Sequence, residues 1–167
     1  KALIERLLAT RIEGRTKHGQ PTSAFGYNFD WQSRVFYAPI GTPAIVPTAF
    51  ASQAFVEAFQ ITKDEKYLAL ADEICAFVLN GLNRAVETND EICFSYTPVD
   101  KSMIFNASLL AGESLARVGA ITGNAEYIEM ASKSARFVIH RQRSDGAWEY
   151  GVNNAQAWVD NFHTAYI

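Results

Sequence analysis

The chain has 167 residues, of which 49% are hydrophobic and 20% charged, and a net charge of −3. That length and mix suit one folded domain with a buried core and argue against disorder. No basic stripe interleaved with aromatics appears, and no apolar run approaches the roughly 18–20 residues of a membrane span, so neither nucleic acid nor a membrane is an expected partner.

In chain order, "KALIERLLATRIE" (1–13) reads as an amphipathic outer helix. An aromatic loop follows, with "FGYN" at 25–28 and Phe29-Asp30-Trp31. A helix begins near "IVPTAF" (45–50); its residues 48–60 hold a single charge, Glu57, so it should be buried all round. A polar turn, Thr62-Lys63-Asp64, leads to a helix over 64–80 with five charges, which should lie outside. Cys75 falls in its apolar pattern and Cys93 beside Phe94; two buried thiols are expected, and nothing in the spacing supports a disulfide. A second aromatic loop, "FSYT" (94–97), precedes Asp100 and a helix starting at "FNASLL" (105–110). Asn106-Ala107-Ser108 is a glycosylation sequon best read as a helix cap, and Glu113 with Arg117 as an i,i+4 pair. A turn at Thr122-Gly123-Asn124 opens an outer helix reaching His140. "WEYG" (148–151) is the third aromatic loop, and "WVDNFHTAYI" (158–167) starts a third inner helix.

The order repeats. "ITKDEKY" (61–67) and "ITGNAEY" (121–127) share Ile-Thr-x-x-x-x-Tyr at a displacement of 60 residues, with matching helical flanks. Such a period marks a repeat architecture. The expectation is an all-α fold of antiparallel hairpins over 1–167, about two and a half of them. Two incomplete hairpins would leave apolar edges, so a longer native chain or self-association is expected.

The hairpin repeat resembles the (α/α) toroid families, among them the six-hairpin glycosidases and the terpenoid cyclases. Gln142-x3-Gly146-x-Trp148 resembles the Gln-Trp repeat of triterpene cyclases, where it is structural, but the catalytic DxDD of that group is missing here. Residues 24–167 are more similar to bacterial six-hairpin glycosidase-like proteins of polysaccharide gene clusters. The matches are Phe29-Asp30-Trp31, Thr42-Pro43 with Ile45-Val46 and Thr48-Ala49-Phe50, Tyr96-Thr97-Pro98, Asn106 to Leu110, Gln142 to Tyr150, and Trp158 to Thr164. The resemblance implies part of an (α/α) toroid and a polysaccharide or oligosaccharide partner, without fixing a reaction.

Inner helices of a repeat run parallel, so the loops before them should share one face. That face would carry Asp30, Asp100 and Asp160 as candidate catalytic carboxylates. Glycoside hydrolysis needs two carboxyl groups, about 5–5.5 Å apart for retention and about 6.5–9.5 Å for inversion. Tyr27, Trp31, Tyr96, Trp148, Tyr150 and Trp158 are candidate sugar contacts, although loop aromatics also serve simply to plug the end of a helical layer. In "WVDNFHT", Asp160 suits the N-cap of the last helix, and His163 stands three residues on, where the carboxylate could orient its ring as a base. The expected function is carbohydrate processing, hydrolase-like or lyase-like if catalytic. The alternatives are a non-catalytic glycan binder or scaffold and a terpenoid-cyclase-like enzyme. The three histidines are scattered, and CxxC, HExxH, P-loop and GxGxxG patterns are absent, so no metal site or cofactor is indicated. No signal peptide opens the chain, but a leader could have been removed. Localisation is therefore left open, with the cytoplasm favoured.

Overall fold

The computed structural model describes residues 2–167. Two long helical hairpins form its body: α2 (Ile45–Thr62) with α3 (Glu65–Gly81), and α4 (Phe105–Thr122) with α5 (Ala125–Ile139). Each hairpin turns by the same device. The first helix ends on a left-handed residue, Lys63 (φ 58°) or Gly123 (φ 74°), whose N–H returns to the carbonyl of Phe59 or Gly119. Such a residue satisfies an orphan carbonyl and reverses the chain. The second helix is then N-capped by a side chain: Asp64 accepts from the Lys66 amide, Asn124 from the Tyr127 amide.

The inner helices α2 and α4 pack on each other, and α3 and α5 flank them. Ile45, Ala49 and Phe55 of α2 and Ala111, Leu115 and Val118 of α4, all 0% exposed, belong to one core, together with Ile74 and Val78 of α3. A second cluster joins Phe105 and Phe137 to Cys93 and Val138. Small residues set the α4–α5 distance. The Ser108 and Ser134 hydroxyls meet at 2.9 Å, and a Cβ on Gly112 would stand 3.1 Å from the Ser134 Cβ. Asn106 does not cap α4. The N-cap position is Ile104, without a side-chain bond, and the buried Asn106 Oδ1 has no partner among the described residues.

The all-α expectation is overturned. About 50% of the chain is helical, but 14% is strand, in three small antiparallel sheets, so the fold is mixed α/β. β1 (Ile12–Arg15) pairs with β2 (Pro21–Ala24), β3 (Trp31–Gln32) with β4 (Tyr37–Ala38), and β5 (Arg84–Glu87) with β6 (Ile92–Phe94). The physical cause is backbone satisfaction. Two of these connections are pressed on helices, β2 on α3 and β6 on α4 and α5. Amides shielded from water need partners, and the nearest partner is the returning strand. The opening helix, expected over 1–13, is only Ala2–Leu8 (α1), because Ile12 is already paired with Ala24; Lys1 lies outside the described residues. The last helix, α6, covers Asn161–Tyr166 after a short 3-10 turn at Asn154–Gln156.

The inner helices owe their starts to the aromatic loops. α2 and α4 lack side-chain caps, and the amides of Ile45 and Phe105 donate instead to the carbonyls of Tyr96 (2.9 Å) and Tyr150 (3.2 Å). Each loop is thereby fixed across the entrance of the preceding inner helix, which brings its Tyr to one end of the helical layer. Among the described residues no helix is long and apolar enough to cross a membrane.

Candidate functional site

At that end of the layer lies a cleft of ≈ 250 Å³, walled by Trp31, Arg34, Ile104, Tyr150, Trp158 and His163. Trp31 comes from β3. Its ring is gripped edge-on by Tyr27 (5.5 Å between centroids) and Phe36 (5.1 Å), and tilts against Tyr96 at 4.7 Å. The Tyr27 and Tyr96 hydroxyls bond to each other at 2.8 Å. Burial raises both phenols above their ordinary value and pushes Tyr150 up to about 12. All three tyrosines are therefore neutral hydrogen-bonding groups near pH 7.

The opposite wall comes from the chain's last stretch. Tyr150 and Trp158 stack at 4.4 Å, and the Tyr150 ring also lies 4.4 Å from that of His163. The Tyr150 amide donates to the Trp158 carbonyl at 2.8 Å, which sets this stack. Asp160 is the hub. Its Oδ1 accepts from the His163 amide at 2.7 Å, as an N-cap does. Its Oδ2 meets His163 Nδ1 at 2.6 Å and accepts from the Trp158 indole N–H at 2.9 Å. These bonds, the backbone amide first, hold the Asp160 carboxyl below its usual range. With the carboxylate on Nδ1, the neutral imidazole carries its proton there, and Nε2 is left as the basic nitrogen.

The other candidates fall elsewhere. Asp100 is 7% exposed, and both its oxygens are spent on its own loop. One accepts from the Thr97 amide and hydroxyl, each at 2.6 Å; the other accepts from the Ser102 amide at 2.7 Å and from the Ser102 hydroxyl. Asp30 is exposed; it accepts from the Ile40 amide at 2.7 Å and bonds the Tyr37 hydroxyl, which that bond holds above its usual value. Neither lines the cleft. Trp148 also points away. It packs on the Phe105–Phe137 cluster, and its indole donates to the Val138 carbonyl at 2.9 Å. Gln142 donates to the Gly146 carbonyl at 2.8 Å, so the Gln-Trp stretch ties a helix end to a loop.

Arg34 was not foreseen from the sequence. Its guanidinium lies over the Trp158 ring, 4.4 Å from the centroid. Only the hairpin geometry reveals it, since no motif surrounds it. With Tyr150 and Arg34 both on Trp158, that ring acts as a platform for its neighbours. A larger hollow of ≈ 500 Å³ runs along α2, α4 and α5, past Phe50, Leu109 and Ala135. Of its polar groups, Gln53 donates to Glu113, which also pairs with Arg117, whereas the buried Asn106 Oδ1 has no partner among the described residues. Among the described residues, no group of three His, Cys, Asp or Glu side chains is placed to hold a metal ion.

No protein-family model matches this chain, and neither does any curated protein at a significant level.

Proposed function

We propose that this is a carbohydrate-active protein that engages a polysaccharide or oligosaccharide at the Trp31–Tyr150–His163 cleft, with His163 as general base. The observation that supports it is the Asp160–His163 pair beside that cleft, with Nδ1 held at 2.6 Å and Nε2 left for chemistry. A positioned base with an orienting carboxylate is a recurrent catalytic unit. The aromatic walls supply flat apolar surface for a sugar ring, and the neutral Tyr150 supplies a hydroxyl donor. The resemblance of residues 24–167 to polysaccharide-cluster proteins points the same way. The test is a screen of acidic and neutral polysaccharides for turnover, with His163→Ala and Asp160→Asn alongside. A drop of roughly 10²–10⁴-fold in His163→Ala matches a general base; full activity in that variant rejects it.

A second reading, glycan binding without turnover, has its own support. Among the described residues, Asp160 is the one carboxylate hydrogen-bonded to a cleft residue, and it is occupied by His163 and Trp158. The paired carboxyl groups of a conventional hydrolase are not assembled, since Asp30 and Asp100 serve their own loops. Binding that persists in His163→Ala with no turnover by the parent protein selects this reading. The terpenoid-cyclase alternative has no support at the cleft, where a lone Asp is engaged by a histidine.

A further inference from the structure

We infer that Arg34 reads a carboxylate on the sugar, so that the ligand is a uronate-containing glycan; this rests on the glycan reading of the cleft. Arg34 stands at the tip of the β3–β4 hairpin, which is unusually well tied for so short a turn. The Ser33 amide donates to the Phe36 carbonyl at 2.9 Å, and the Ser33 hydroxyl accepts from the amides of Val35 (3.1 Å) and Phe36 (3.0 Å). Gln32 adds bonds to the carbonyls of Ser33 and Phe36. The backbone under Arg34 is therefore set before any ligand arrives.

Its side chain is set as well, by stacking on Trp158, and it faces the cleft. Arg11, Arg84, Arg117, Arg141 and Arg143 each pair with a carboxylate. Arg15 and Arg136 have no ion pair but donate to backbone carbonyls. Arg34 has neither an ion pair nor a side-chain hydrogen bond among the described residues, so its N–H fork remains for an incoming acceptor. A planar guanidinium matches a carboxylate through two parallel hydrogen bonds, and stacking on an aromatic lowers the ordering cost of that match.

The size and charge of the cleft narrow the ligand. At ≈ 250 Å³ it lies just below the ~300–1,000 Å³ typical of sites for drug-sized molecules, which suits one sugar unit at a time. Arg34 brings one positive charge, and Asp160 sets a negative one beside His163. A monoanionic carboxylate is balanced by Arg34, whereas a phosphate dianion would keep an unmatched charge facing Asp160. The acidic sugar therefore docks with its carboxylate on the Arg34 side, its ring along Trp31, and its far edge toward His163 Nε2.

Calorimetric titration tests this with short oligogalacturonates and oligomannuronates, their carboxyl-reduced neutral forms, and a sulfated oligosaccharide as a second anion. The expected result is binding of an acidic oligosaccharide, with a loss of about tenfold or more on carboxyl reduction and a similar loss in Arg34→Gln. Arg34→Lys keeps the charge without the fork, and a smaller loss is expected there. Arg34 is exposed, so these variants should fold, and an unchanged circular dichroism spectrum checks it. Equal binding of the neutral forms, an unaffected Arg34→Gln, or preference for the sulfated probe overturns the uronate inference and leaves the glycan reading standing. Failure of every acidic and neutral glycan to bind the parent protein overturns both.

Discussion

Asp160 and His163 are joined twice, through the backbone amide at 2.7 Å and the ring Nδ1 at 2.6 Å. One carboxylate therefore caps α6 and orients the imidazole, so helix start and base stand or fall together. The Asp160 carboxyl is held below its ordinary value by the His163 amide first, then by the ring. A carboxyl depressed on folding adds stability above its unfolded value, near pH 4, and loses it as pH falls through the folded value. Below about pH 4, α6 should fray and the Trp158 indole N–H resonance should shift. Asp160→Asn should flatten that acid titration. Identical acid profiles in the two proteins would show that Asp160 does not control this end of the chain.

Asp100 should matter for stability and not for chemistry. Its buried carboxylate satisfies amide and hydroxyl donors of Thr97 and Ser102, and its removal strands them without water. The two hydroxyls can rotate to other acceptors, but the two stranded amides cost about 1–3 kcal/mol each, so Asp100→Ala should lose about 2–6 kcal/mol in denaturant unfolding. Whatever activity or binding the parent protein has should persist per folded molecule. A stable Asp100→Ala protein that has lost function would restore this residue to the catalytic set.

The two thiols are free and buried, and burial raises both above the usual thiol range, Cys93 up to about 12. The thiolate is the reactive form, so neither should react with a disulfide reagent at pH 8 in the native state. Both should react on unfolding. Rapid native labelling of either would show that the core around α3 or β6 opens readily.

The long helices were legible because their apolar residues recur at helical spacing over many turns, and their turns carry Lys63-Asp64 or Gly123-Asn124 in the same places. The strands were not. β3 and β4 are two residues each, too short for alternation to register, and β1 sits in a stretch that continues the pattern of α1. The Asp160–His163 pair could be anticipated because a three-residue spacing at a helix start brings the groups together locally. Asp30 and Asp100 look the same in sequence, yet they serve turns, since a carboxylate near free amides is as useful to a loop as to a substrate. Arg34 depends on contact with Trp158, 124 positions along the chain, which no local pattern announces.

Gly151 offers a way to disturb the cleft from behind. It forms an isolated β-bridge with Ile104, and its amide donates to the Gln156 carbonyl at 3.1 Å. Ile104 and Gln156 both line the cleft. A Cβ at Gly151 would stand 2.7 Å from the Met103 carbonyl oxygen and 3.4 Å from the Gln156 Cβ. The first contact is backbone, which cannot swing aside, so Gly151→Ala must push the Tyr150–Trp158 segment off the start of α4. Overpacking of this kind costs about 1–3 kcal/mol. Gly146→Ala is the control: φ is +85° with nothing within 4 Å of the new Cβ, so it bears only the left-handed strain of about 1–2 kcal/mol. Thermal melting should register both substitutions. Only Gly151→Ala should shift the His163 ring and Trp158 indole resonances, because only it moves the wall that holds them. Matching spectra for the two variants would mean that the Gly151–Ile104 bridge does not set the position of the cleft.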